Sequence, residues 1–333
     1  MRFLSAIFGV VFLTFCAGGC GCSLDRDTDP HCRMIGTPAD WNSPYLPYKA
    51  VTSIAVSQNG KLLAAARMEY GVTVYSLPWG FEECQIPARK GGEIMQVEFA
   101  DNDTLLTAGK DKQLRFWNPH DGKLIKSYQH EGLWFMPFAL SPNRKFIATL
   151  ESDDKVYVWD FATGGLIKTM DGQGGGVQSV TFLPDNNRLV TSSNYTNEVI
   201  LWDIAQGRKL WTTPAETFSL AVSPDGKLMA FRKDHSIEIW NLDSRKKLYT
   251  LMPQQFGIGH FSFAFSPDGK CLGAAELGGD IVMWDLKTQR MLCDYNGPVG
   301  DGLCIEPGPE SRYFYVGGYR NSTVCRWPIP DEE

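Results

Sequence analysis

Phe146-Ile147-Ala148-Thr149-Leu150, a polar break at Glu151-Ser152-Asp153-Asp154, and then Lys155-Val156-Tyr157-Val158-Trp159-Asp160 form the stretch that decides the fold. Two short runs of apolar and β-branched residues flank a polar turn, as in paired strands. Upstream, Pro142-Asn143-Arg144 supplies a turn, because proline presets one backbone angle and asparagine tolerates a positive one. Downstream, Leu166-Ile167 opens another short apolar run. The unit recurs along the chain. An aromatic residue closes the corresponding run at Tyr75, Trp117, Trp159, Trp202, Trp240, Trp284 and Trp327, at steps of 42, 42, 43, 38, 44 and 43 residues. A fixed period of this size means one structural unit copied along the chain.

Each copy begins with an alternating apolar run, such as Val97 and Phe99, Val180 and Phe182, or Phe263 and Phe265. A turn cluster, a second apolar run, the run that ends at the aromatic, and a short fourth run follow. Four short antiparallel strands per period predict radial sheets around a channel. Trp159-Asp160, Trp202-Asp203 and Trp284-Asp285, at this period, resemble the WD40 repeat family over about residues 38 to 330. The resemblance implies an all-β, seven-bladed β-propeller of WD40 type. Only six residues follow Trp327, too few for the last fourth strand. The resemblance therefore implies that an N-terminal strand near residues 33–43 completes the last sheet and closes the ring.

In this family a buried hydrogen-bond chain links His, Ser or Thr, Asp and the strand-end Trp. His130, Thr149, Asp153 and Trp159 match it in full. Thr107, Asp111 and Trp117 match in part, as do Ser192 with Trp202 and Asp234 with Trp240. The physical need is satisfaction, since an indole nitrogen only donates and a buried donor needs an acceptor. A Thr, His and Asp set at this spacing reads as scaffold and not as a catalytic triad. The other histidines form no ligand cluster, so no metal is expected. The glycine-rich stretch 172–176 follows no strand-to-helix pattern and is no phosphate cradle. No cofactor is expected.

The formal charge of the 333-residue chain is −6 with no basic block, which argues against nucleic acid as a partner. The expected function is protein–protein contact. Loops before the first strand and between the second and third strands form one rim, where Tyr70, Trp134, Tyr195, His235, Tyr319 and Arg320 supply side chains of the kinds that dominate interfaces, Tyr, Trp and Arg above all.

The N-terminus stands apart from the array. Met1-Arg2 precedes an uncharged, largely apolar stretch to Gly19, the layout of a secretory signal peptide over 1–19. Small residues Ala17, Gly18 and Gly19 before Cys20 resemble a bacterial lipoprotein signal, although the family has leucine where Ala17 stands. Two outcomes follow: lipidation of Cys20, with 20–37 as a tether, or cleavage after Gly19 to a soluble secreted protein. The expectation is an exported, lipid-anchored, non-catalytic scaffold of the bacterial cell envelope, periplasmic or on the cell surface, touching membrane through its anchor. The alternative is a propeller enzyme or small-ligand-binding protein using the central channel, which requires convergent polar or titratable residues at one channel mouth.

Overall fold

The computed structural model describes residues 33–35, 50–67, 70–88, 92–129, 137–150, 155–171, 177–193, 195–215, 217, 219–234, 236–252, 261–276, 280–296, 302–318 and 324–330. Within them lie 28 strands, β1–β28 in chain order, and no helix. Seven four-stranded antiparallel sheets result, six of them built from consecutive strands. The seventh has the order β1-β28-β27-β26. Its outer strand is β1 (Arg33–Ile35), which pairs with β28 (Val324–Pro328) in the register Arg33↔Arg326, Met34↔Cys325 and Ile35↔Val324. The protein is a seven-bladed β-propeller whose last blade is closed by the N-terminal strand. That strand sits inside the 20–37 segment read as tether, a few residues ahead of the expected boundary at 38.

Every period aromatic ends the third strand of its blade. Trp159 sits in β12 (Lys155–Asp160) and pairs with Ile147 of β11 (Phe146–Leu150), as the opening stretch requires. Apolar side chains from both faces of each sheet pack against the neighbouring blades. One cluster joins Val74 and Ile86 of the first blade to Val97, Phe99 and Trp117 of the second. Another joins Tyr315 and Val324 of the seventh to Val51, Leu63 and Tyr75 of the first, so the core is itself a closed ring.

The turn after each first strand is the tightest recurring feature. Gly60, Arg144, Asn186, Gly226, Gly269 and Ser311 occupy one position there, all in the left-handed region. Glycine adopts it without a Cβ clash. Arg144, at φ 57°, does so at a cost of about 1–2 kcal/mol.

Candidate functional site

The loops between second and third strands lie at one end of the ring. Tyr70 follows β3 (Leu62–Arg67) and is 47% exposed; Tyr195 follows β15 (Arg188–Ser193) and is 81% exposed. The hydroxyl oxygen of Ser193 accepts from the backbone N–H of Tyr195 at 3.1 Å and of Thr196 at 3.2 Å. These bonds pin a short loop with the Tyr195 ring in solvent. Tyr70 and Tyr195 share an end, but they sit on the first and fourth blades and do not form one patch. Trp134, His235, Tyr319, Arg320 and Cys20 lie outside the described residues.

The hydrogen-bond chain is present in its Thr–Trp part. Trp159 Nε1 donates to Thr149 Oγ1 at 2.8 Å, and Trp117 makes the same bond to Thr107 at 2.8 Å. His130 and Asp153 lie outside the described residues. Asp111 does not extend the chain to Trp117; it pairs with Arg115. Trp202 donates to Thr191 at 2.8 Å and not to Ser192, whose buried Oγ has no partner among the described residues. Trp240 donates to Glu238 Oε2 at 2.8 Å and not to Asp234.

Register explains both corrections. The threonine always lies two residues beyond the second-strand residue paired with the tryptophan: Leu105, Ile147 and Leu189 pair with the aromatic, and Thr107, Thr149 and Thr191 follow. The fourth blade has one more residue between threonine and tryptophan, so a fixed sequence offset lands on Ser192. In the fifth blade that position is Phe231, which has no acceptor, and the indole turns to Glu238 on its own strand. The first blade has Ala65 there, and Tyr75 instead accepts from Arg67 Nη2 at 2.7 Å.

The second candidate is the channel. A cavity of about 400 Å³ is lined by the inner strands β2 (Val51–Val56), β6 (Ile94–Phe99), β10 (Phe138–Leu140), β14 (Val177–Phe182) and β26 (Gly302–Pro307). At the channel-facing position most inner strands carry a small residue, such as Ala55, Ala139 or Thr181; two carry Glu98 and Glu306. Glu98 accepts from Arg144 Nη1 at 3.2 Å and from the Leu140 N–H at 3.3 Å. Gln96 bridges the same gap, donating to the Phe138 carbonyl at 2.6 Å and accepting from its N–H at 2.9 Å. Polar side chains thus stitch adjacent inner strands where backbone pairing stops.

About a third of the Glu98 side chain is exposed, toward the channel. Burial within the ring lifts the Glu98 carboxyl to about 7, with Arg144 pulling against the rise. Burial first, and then repulsion from Glu98, lifts Glu306 to about 8. Near neutral pH Glu306 therefore holds a proton. The sequence signal was present: a lone glutamate in place of the usual small residue, in Val97-Glu98-Phe99 and Ile305-Glu306-Pro307. Among the described residues no three His, Cys, Asp or Glu side chains converge to hold a metal ion.

The fold and these sites define a seven-bladed propeller whose buried Thr–Trp bonds recur between the second and third strands. Comparison with known proteins then narrows the class. The WD40 family profile, "WD domain, G-beta repeat", matches residues 84–118 and 164–203. The chain is 27% identical over 216 residues to human "Pre-mRNA-processing factor 17", covering 60% of this chain and 36% of that protein. It is 26% identical over 257 residues to "Autophagy-related protein 16" of Arabidopsis thaliana, covering 74% and 49%. It is 23% identical over 219 residues to the Arabidopsis "Transcriptional corepressor LEUNIG_HOMOLOG", covering 65% and 27%. The chain spans about a quarter to a half of the length of these relatives. The repeats and the WD-repeat relatives support the WD40 family for this chain.

Proposed function

We propose that this protein is a non-catalytic protein-interaction scaffold, exported and tethered to the bacterial cell envelope through lipid on Cys20. The observation that carries the scaffold reading is Tyr195, 81% exposed on a loop pinned by Ser193. A large amphipathic ring held in solvent by a built loop contributes contact area at low entropic cost. The WD-repeat relatives support the same reading; the roles in their names belong to those proteins. The envelope location rests on the N-terminal sequence alone, since the relatives compared are eukaryotic. Affinity capture with the Tyr70→Ala/Tyr195→Ala double variant tests the scaffold. The mass of the mature N-terminal peptide tests the anchor: diacylglyceryl on Cys20 supports it, and an unmodified Cys20 contradicts it.

The channel supports a second reading, a site for a small ligand with a cationic group. Among the described residues no hydrogen bond lowers the Glu306 pKa, and Glu306 lines the cavity together with the Glu98–Arg144 pair. A thermal shift with small amines that disappears in Glu306→Gln supports this reading, and no shift with any amine counts against it.

A further inference from the structure

We propose that one end of the ring, the end bearing the turns from third to fourth strands, is a lipid-docking face laid against the bilayer by the N-terminal tether. The proposal rests on the anchored reading above. The topology brings three features to this end. First, the turns after the first strands lie here too: the Ile329 N–H donates to the Arg312 carbonyl at 2.8 Å, and the Phe161 N–H to the Lys145 carbonyl at 2.9 Å. Equivalent turns of neighbouring blades are joined, as by Asn143 N–H to Asn186 Oδ1 at 2.8 Å, so all blades present this end together.

Second, β1 begins at this end. Arg33 is paired with Arg326, beside Trp327 at the end of β28. Twelve residues separate Cys20 from Arg33. Fully extended they reach about 40 Å. A lipid on Cys20 would hold Arg33, at this end of the ring, within about 40 Å of the membrane.

Third, the outer rim of this end exposes both large apolar side chains and bases. On three consecutive blades the turns and first residues of the fourth strands expose Trp79, Phe81, Leu124, Ile125, Leu166 and Ile167, each between 41% and 71%. One exposed apolar side chain needs no explanation, but six along one arc do. On the next three blades the turns and first fourth-strand residues expose Arg208 and Lys209, Lys246 and Lys247, and Lys287 and Arg290, with Leu248 exposed beside them. Of the acids at this rim, Asp203 and Asp285 accept from the backbone of their own turns, while Glu82, Glu83, Asp121 and Asp243 are exposed. The first-strand turns nearer the axis carry both signs in pairs, such as Asp185 with Arg188 and Glu310 with Arg312. Exposed bases on a chain of net charge −6 suit anionic headgroups, and the aromatic and aliphatic side chains of the same rim suit the boundary with the acyl chains. The two together match a bilayer surface rather than bulk water.

The test uses the full-length lipidated protein in vesicles of phosphatidylcholine and phosphatidylglycerol with brominated acyl chains. The emission difference between wild type and Trp79→Phe isolates Trp79. Strong quenching of that difference is expected. An unquenched Trp79 on protein that sediments with the vesicles overturns the docking face and leaves the anchor standing. Should Cys20 carry no lipid, the anchor reading fails by itself; the unlipidated chain is then titrated with the same vesicles, where quenching at saturation supports the face and its absence overturns it. Trp79→Ser/Phe81→Ser in the Cys20→Ser chain should weaken vesicle binding about tenfold at unchanged melting temperature. Equal binding overturns the proposal, as does a co-purifying protein that shields Trp79 from bromine and from aqueous iodide alike.

Discussion

Replacing Thr107 with valine tests whether the Thr–Trp bond holds a blade together. Thr107 is 1% exposed and Trp117 6%, and the bond between them is 2.8 Å. Valine keeps the volume and branching of threonine, so little cavity forms. What is lost is the acceptor, leaving a buried indole N–H with no partner at a cost of about 1–3 kcal/mol. Trp117→Phe removes the donor as well as ring volume, and the two changes should couple by about 1 kcal/mol in a double-mutant cycle. Ser192→Ala is the contrast, since the Ser192 hydroxyl is buried without a partner among the described residues and its loss should be neutral or slightly stabilising. Urea denaturation of the purified chains reads wild type and all four variants. A Thr107→Val loss below about 0.5 kcal/mol, or a Ser192→Ala loss as large as that of Thr107→Val, would refute the register argument.

Three further outcomes are expected. The Glu306 carboxyl, lifted to about 8, keeps its proton in the folded ring over a range where an unfolded chain has lost it. The Glu306 contribution to stability should therefore be full below about pH 4.5 and fall as pH rises toward 8, by about 1–3 kcal/mol once its partial exposure to the channel is allowed for. Glu306→Gln should flatten that slope in denaturation measured from pH 5 to 8.5, and an unchanged slope assigns it to other groups. A chain begun at residue 38 lacks β1 and exposes the β28 edge; it should lose about 2–4 kcal/mol and self-associate in sedimentation, and a monomer with unchanged melting would contradict closure by β1. Gly71→Ala places a Cβ 2.0 Å from the Ile86 carbonyl oxygen at φ +93°, so a loss of about 2 kcal/mol or more is expected, and a melting temperature within about 1 °C of wild type would argue against this backbone.

The ring was legible because its aromatics, turn prolines and alternating first strands each answer to a period, and a period survives substitution of any one copy. Tyr75 shows this: it holds the strand-end position although its polar partner is Arg67 and not a threonine. The polar partners were less legible. Offset counting works in the second and third blades, fails at Ser192 because the hairpin is one residue longer, and fails at Asp234 because Phe231 removes the acceptor. Strand register, not sequence distance, decides which side chains meet. The channel acids went unread for a different reason. Glu98 and Glu306 lie 208 positions apart in sequence, and only closure of the ring brings them to one cavity. Arg144 read as an ordinary turn residue, and its reach back to Glu98 depends on a left-handed backbone that glycine or asparagine more often provides.

The claim that this propeller works as a tethered scaffold is tested most directly by affinity capture of the native protein from solubilised membranes, beside Tyr70→Ala/Tyr195→Ala. The account predicts a protein partner recovered in stoichiometric yield with the native chain and depleted about tenfold or more with the double variant, at equal melting temperature. Recovery of the same partner in equal yield with both chains would contradict the choice of rim, and recovery of none would contradict the scaffold.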